Sequence, residues 1–335
     1  MKISASIYSD KRKDWEQSIE DMHKHNADMI HVDCNDDPEV LEDIKKFKSK
    51  SDLPIDLHLI TAFPEKYLDT LQALDVDLIT LQYESLQEPP IDFLKSIKAK
   101  KGLAITSDTP ISVFDEFADL YDFILFMATV PGQSGGKFDA KNFAKIRAFQ
   151  AKYPHKKVHV DGGVNAEVSF ILRNMGVYAS VSGSYLFNAD SMGAAMLNLK
   201  NNEVASHYKV EDIMRTPDET PSVNENASFK EVLQSIEDGN MGVTMVVSED
   251  DTLKGIISNA DVRKTLLHRF PDVQHIKVVE MINPNPVLIN DQSTVEDMLR
   301  HIKKQAFPIM YMPVVDNNYK LSGSLAFMNL IKGEL

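Results

Sequence analysis

Short apolar or β-branched runs recur along the first 200 residues: Ile3–Tyr8, Asp28–Asp33, Ile55–Ile60, Leu78–Leu81, Gly102–Ile105, Phe123–Met127, Val158–Asp161 and Ala179–Ser182. Charged segments between them carry apolar residues at helical spacing, as in Trp15, Ile19, Met22 and Val40, Ile44, Phe47. The pattern predicts eight strands, each followed by a helical stretch. Such alternation means parallel strands joined by right-handed crossovers. Eight units in roughly 200 residues suit a closed (β/α)8 TIM barrel at the small end of its size range. Periodicity alone leaves an open doubly wound sheet as the alternative. Polar or functional side chains gather at the run ends: Ser6, His31, Asp33, His58, Gln82, Thr106, Met127, Asp161 and Ser184. In a barrel these ends form one face, where the βα loops build active sites.

Ala189–Leu199 predicts a last helix, and the polar KNNEVASHY stretch after it reads as a linker. From Val210 the text repeats itself. Glu211-Asp-Ile-Met214 returns as Val279-Glu-Met-Ile282, and Phe229-Lys-Glu-Val-Leu233 as Val295-Glu-Asp-Met-Leu299. Val246-Val247 is matched by Val314-Val315, and Leu253-Lys-Gly255 by Leu321-Ser-Gly323. The offset stays near 68 residues, so the segment reads as two copies of one αββα unit packed together. The expected division is 1–199 for the barrel, 200–208 for a linker and 209–335 for the duplicated module. Its copies would lie at about 209–270 and 276–335.

Composition narrows the function classes. The 335 residues are 43% hydrophobic and 26% charged, which excludes disorder as the dominant state. Lys plus Arg is 36 and Asp plus Glu is 50, a net charge of −14. That balance argues against nucleic acid and anionic membranes as partners. A single cysteine, Cys34, rules out an intramolecular disulfide and a cysteine-based zinc site. The N-terminal text has no long apolar run, and no stretch nears the ~18 apolar residues of a membrane span. A cytoplasmic location is the expectation.

The chemistry concentrates at the strand ends. His31-Val-Asp33 has i, i+2 spacing, so both side chains share one strand face. His58 closes Asp56-Leu-His-Leu-Ile60, and Asp161 ends a strand in Val158-His-Val-Asp161. Two imidazoles and two carboxylates can surround one divalent cation, with Zn, Mn, Fe or Co all suited to N/O ligands. The plainer alternative is inner-layer histidines with satisfied hydrogen bonds and loop-capping aspartates. His159, one layer deeper, reads as structural. Asp161-Gly162-Gly163-Val-Asn165 precedes a helical stretch, and Ser182-Gly183-Ser184 ends the next strand. Loops in those places grip phosphate through backbone N–H groups, unless they are only tight turns. Val130-Pro-Gly-Gln-Ser-Gly135-Gly-Lys-Phe138 suits a mobile lid or a plain flexible loop.

These motifs, in this order, resemble the ribulose-phosphate 3-epimerase family. The carrying segments are ISASIYS, HVDCND, DLHLI, GLAITSDTP, FMATVPGQSGGKF, VDGGVN and VSGSYLF, over residues 1–199. The resemblance implies metal ligands at His31, Asp33, His58 and Asp161, with Asp33 and Asp161 as the acid/base pair. It implies substrate contacts at Ser6 and Met127, and in the lid at Gly135. Phosphate-binding positions fall on Gly162, Gly163, Gly183 and Ser184. The implied reaction is D-ribulose 5-phosphate to D-xylulose 5-phosphate, by two-aspartate proton transfer through an enediolate stabilised by the metal. The chain departs from the family at Asn35-Asp36-Asp37, at Ile60 in place of a methionine, at Gln82 in place of a histidine, and in the lid. These changes leave allulose 6-phosphate, or another ketose phosphate, as an alternative substrate. A barrel that has lost activity and serves as a sugar-phosphate or nucleotide sensor is a further alternative.

The C-terminal repeat resembles a CBS-domain pair, a Bateman module. Leu253-Lys-Gly-Ile-Ile-Ser-Asn-Ala-Asp-Val-Arg263 is a carrying segment. The family's nucleotide-binding hydroxyl-x-x-Asp pattern falls on Ser258 and Asp261, and on Ala326 and Asn329 in the second copy, so at most one good site is expected. The alternative is that Asp261 only caps a helix. The text looks most like the pair attached to arabinose-5-phosphate isomerases. That likeness implies an adenine or cytidine nucleotide, or a nucleotide sugar, as effector. Both families imply a homo-oligomer.

Overall fold

A computed structural model of the chain describes residues 1–11, 14–131, 135–200, 207–305 and 309–327. It divides into two compact units, Met1–Val204 and Ala205–Asn329. Among the described residues, no helix is long and apolar enough to cross a membrane.

The first unit is a closed barrel of eight parallel strands in sequence order. They are β1 (Lys2–Ser6), β2 (Met29–Cys34), β3 (Ile55–Leu59), β4 (Leu78–Gln82), β5 (Lys100–Thr106), β6 (Phe123–Met127), β7 (Lys157–Asp161) and β8 (Ala179–Ser182). β8 pairs back onto β1, through Val181 opposite Ser4, and this closure removes the open-sheet alternative. Around it run α1 (Trp15–Lys24), α2 (Glu39–Lys50), α3 (Leu68–Leu74), α4 (Ile91–Ser96), α5 (Lys141–Lys152), α6 (Ala166–Asn174), α7 (Ser184–Phe187) and α8 (Met192–Lys200). Ile19 and Met22 of α1, and Val40, Ile44 and Phe47 of α2, are buried as their spacing predicts. Asp14 caps α1 by accepting from Gln17 N, and Asn165 caps α6 by accepting from Val168 N. After β5 the chain forms a 3-10 helix, Ile111–Phe117, instead of an α-helix. The β-branched Ile111 and Val113 disfavour a regular α turn there.

The strands are buried on both faces, and the two faces differ in chemistry. Ile30, Val32 and Cys34 on β2, and Ile55, Leu57 and Leu59 on β3, form the outer, helix-facing set. The inner face of β1 to β4 is polar: Ser4, Ser6, His31, Asp33, Asp56, His58, Thr80 and Gln82. Adjacent strands hold these positions in register, with His31 opposite Asp56 and His58 opposite Thr80. The opposite wall is apolar, with Ala104, Leu125, Met127 and Val181 in one cluster. Below it the Phe123 ring stacks on His159 with centroids 4.1 Å apart. The ring fills the space that Gly102 leaves by having no side chain, since a Cβ there would lie inside the ring carbons.

The second unit comprises α9 (Val210–Ile213), β9 (Ser222–Asn224), α10 (Phe229–Gly239), β10 (Val243–Val247), β11 (Leu253–Ser258), α11 (Asn259–Arg269), α12 (Val278–Met281), β12 (Ile289–Asn290), α13 (Val295–Lys303), β13 (Tyr311–Val315) and β14 (Leu321–Ala326). Its two three-stranded sheets have the orders β11-β10-β9 and β12-β13-β14, the same arrangement twice. Each copy has a short parallel strand, β9 or β12, beyond the expected αββα pattern. The repeated motifs meet crosswise. In one copy Ile256 N donates to Asn283 O at 3.0 Å, and in the other Arg215 N donates to Ser324 O at 2.8 Å. A Cβ on Gly255 or Gly323 would strike the carbonyl oxygen of Asn283 or Arg215, which explains the repeated Leu-x-Gly.

Gly102→Ala should destabilise the barrel by about 1–3 kcal/mol through overpacking against Phe123. A denaturant midpoint equal to that of the parent would refute this packing.

Candidate active site

His31, Asp33, His58 and Asp161 converge inside the barrel, and one ligand atom from each lies within 4.8 Å of all the others. They stand on β2, β3 and β7. β7 neighbours neither β2 nor β3, so these side chains can meet only in the interior. His31 Nε2 lies 3.4 Å from Asp33 Oδ1 and 3.6 Å from Asp161 Oδ2. His58 Nδ1 lies 3.1 Å from the same Asp33 oxygen. Both histidines are fully buried, while the Asp33 and Asp161 side chains keep 21% and 15% of their exposure. The carboxylates therefore face the mouth of the barrel and the imidazoles its floor.

Behind His31 stands Asp56. His31 Nδ1 shares a 3.0 Å hydrogen bond with Asp56 Oδ2, and Ser4 Oγ donates to that oxygen at 2.8 Å. Burial works against ionisation of Asp56, yet the facing His31 holds its carboxyl below the usual range. An ionised Asp56 accepts a hydrogen bond from Nδ1–H, so Nε2 is the nitrogen aimed at Asp33 and Asp161. That Nε2 is buried and has no hydrogen-bond partner among the described residues. A cation among the four side chains would satisfy it and offset the paired carboxylates. The two-nitrogen, two-oxygen donor set fits a divalent metal such as Zn, Mn, Fe or Co.

The two outer carboxylates sit in different fields. Burial opposes ionisation of Asp33, but His31 and His58 face it and hold it well below the usual carboxylate range. Burial pushes Asp161 up to about 6; His31 pulls against that, and the Asp33 charge adds to it. Burial would lower His31, but Asp33 and Asp56 raise it well above its ordinary value.

The other sequence-predicted residues fall around this centre. Ser6, at the end of β1, lies with Ser9 beside Gly183. Met127 is buried and pairs in register with Asp161. Gly162 and Gly163 have φ values of +103° and +67° and press against Thr129 and the backbone of Phe138. Glycine is thus required there by the backbone alone. Ser184 begins α7. Gly135 has φ +91° with nothing within 4 Å of a Cβ position, and residues 132–134 of the expected lid lie outside the described residues. His159 is a layer deeper, between Phe123 and Tyr178, as expected. Sequence reasoning passed over Asp56 and Ser4. The available signal was Asp56-Leu-His58, the same i, i+2 spacing as His31-Val-Asp33.

In the second unit Ser258 and Asp261 are bonded to each other. Ser258 N and Oγ donate to Asp261 Oδ2 at 2.9 and 2.5 Å, and Asp261 N donates back to Ser258 Oγ at 3.3 Å. This is a capping box at the start of α11. Ala326 ends β14, and Asn329 lies outside the described residues.

The ribulose-phosphate 3 epimerase family model matches residues 2–187. The chain belongs to this family. The epimerase of Buchnera aphidicola is 32% identical over 202 residues, which span 56% of this chain and 89% of that protein. The Bacillus subtilis epimerase is 26% identical over 219 residues, spanning 61% of this chain and all of that protein. Homologues of this name are isomerases, and the enzyme class expected from the motifs stands. The CBS domain model matches residues 210–268, and the second sheet of the same topology completes the pair. Among solved structures, the CBS-pair protein CBSX2 from Arabidopsis thaliana is 23% identical, covers 38% of this chain and 94% of its own, and gives a TM-score of 0.32.

A divalent cation at 100 times its Kd should stabilise the barrel by about 2.7 kcal/mol, read as a raised Tm after chelator treatment. His31→Ala should lose that rise. A parent Tm unmoved by Mn, Co or Zn would count against the site.

Proposed function

We propose that the barrel is a metal-dependent 3-epimerase of a ketose phosphate, with D-ribulose 5-phosphate and D-xylulose 5-phosphate as its pair. The observation that carries this reading is the placement of Asp33 and Asp161. They come from strands on different sides of the barrel, converge on His31 Nε2, and both keep some exposure at the mouth. Inverting a carbon beside a ketone needs one group to remove a proton and another to return one to the opposite face. Asp33 and Asp161 take these roles and exchange them when the reaction reverses. His31, Asp33, His58 and Asp161 would hold the metal, which supplies Lewis-acid stabilisation of the charge that develops on the ketone oxygen. Met127 and the apolar wall behind it limit water without offering a competing proton donor. Ser6, Gly183 and Ser184 at the ends of β1 and β8, with Gly162 and Gly163 after β7, would receive the substrate and its phosphate. Backbone amides rather than lysines would supply that grip, which reconciles an anionic substrate with an acidic chain.

A second substrate is favoured by Ile60 and Gln82, which differ from the family's usual residues at the wall. An allulose 6-phosphate fits the same chemistry, and a ketose-phosphate panel separates the two. In the presence of divalent metal the enzyme should exchange the C3 proton of its substrate for solvent deuterium. Asp33→Asn and Asp161→Asn should each lower that exchange about 100-fold or more with the fold intact. Full exchange in either variant would remove the mechanism.

For the CBS pair we propose a nucleotide-sensing role. By analogy with the pair attached to arabinose-5-phosphate isomerases, we propose an adenine or cytidine nucleotide, or a nucleotide sugar, as effector. Ser258 and Asp261 would have to exchange part of their mutual hydrogen bonding for the ligand's ribose or phosphate. A saturating nucleotide should raise Tm by a few degrees. No shift across a nucleotide panel would leave Ser258 and Asp261 as a helix cap alone.

A further inference from the structure

Gln82 is buried, and its Oε1 lies 2.9 Å from His58 Nε2. The other end of the same amide, Nε2, donates to Glu84 Oε2. Glu84 is itself fixed. It accepts from Thr106 N at 2.9 Å, from Thr106 Oγ at 3.1 Å and from Thr109 Oγ. Lys145 Nζ ties the same loop down by donating to the carbonyls of Thr106 and Thr109, each at 2.6 Å. Rotating the Gln82 amide by half a turn would set its Oε1 against the Glu84 carboxylate, acceptor against acceptor. Gln82 therefore offers His58 an oxygen and not an NH2 group. A hydrogen bond between that oxygen and His58 Nε2 requires the ring proton on Nε2.

From this we infer that Glu84 and Gln82 are positioning residues that hold the His58 ring with an Nε2 proton directed at Gln82, so that Nδ1, which shares a 3.1 Å hydrogen bond with Asp33 Oδ1, is the nitrogen turned toward the cation site. The inference rests on the metal-site reading above. It makes the two histidines complementary. His31 donates backwards through Nδ1 to Asp56 and faces the site with Nε2, while His58 donates backwards through Nε2 to Gln82 and faces the site with Nδ1. Each ring is thereby set before a cation arrives, one by a buried carboxylate and one by an amide oriented by a surface carboxylate. An imidazole in place of Gln82 could present either a donor or an acceptor to His58. An amide clamped by Glu84 can present only an acceptor.

The test is Co2+ binding to the metal-stripped full-length chain, followed by calorimetry and by the visible Co2+ absorption band. Gln82→Leu removes the acceptor and should weaken Co2+ binding roughly 10–100-fold. Glu84→Gln, at the surface, lets the Gln82 amide turn over and should weaken it by about threefold or more. Long-range 1H–15N spectra of the histidine rings should place the His58 proton on Nε2 in the parent and show a changed tautomer in Glu84→Gln. A residue that only supports the fold would move the melting temperature and leave Co2+ affinity where it was. Parent-like Co2+ affinity in both variants overturns the inference while the metal site stands. A parent chain that takes up no Co2+ overturns the metal site and the inference together. If Gln82→Leu does not fold, Glu84→Gln decides the matter alone.

Discussion

A barrel that sets two imidazoles and two carboxylates on one inner wall, with a third carboxylate facing them from β7, must neutralise them where they stand, and the arrangement of the first unit follows from that constraint. An isolated buried charge costs several kcal/mol. Here Asp56 and His31 are fully interior and bonded to one another, with Ser4 supplying a further donor to Asp56. Asp33 lies between the two histidines, and Asp161 closes the group from the far side. The remaining need of this cluster, a positive centre for Asp33, Asp161 and the orphaned His31 Nε2, is what suits it to a cation rather than to a packed polar core.

The rest of the barrel serves that wall. Its strands are apolar where they meet helices and polar where β1 to β4 look inward, so alternation within buried strands separates folding from chemistry. The opposite inner wall, with Leu125, Met127 and Val181, is apolar and so strengthens charge interactions on the side that faces it. Glycines at 162 and 163 let the loop after β7 fold closely over the loop after β6. The aspartate that ends β7 and the methionine that ends β6 are paired by strand register. Chemistry at the strand ends thus rests on residues whose own roles are steric.

The second unit shows how one local motif can carry two readings. Ser258-x-x-Asp261 is the pattern of a helix cap and also the pattern from which a nucleotide contact is expected. The structure shows the cap. Duplication is more plainly structural: each copy presents its glycine-bearing strand to the other copy's Glu-Asp-Ile-Met or Val-Glu-Met-Ile segment. A single copy would leave both surfaces open.

By itself the sequence determined the features that depend on neighbours along the chain. Strand and helix spacing, His31-Val-Asp33 on one face, the helix caps and the near-68-residue repeat are all periodicities, and periodicity is local. The tertiary structure decided what depends on closure and register. Pairing β8 with β1 chose the barrel over an open sheet and brought residues 33 and 161 together across 128 positions. The register of β2 on β3 set Asp56 behind His31, and the Thr106–Thr109 loop set Glu84 behind Gln82. The short strands β9 and β12 exist only because β10 and β13 offer them hydrogen bonds. Two or three residues carry too little pattern to announce a strand, and a hydrogen bond across 25 residues has no sequence spacing of its own.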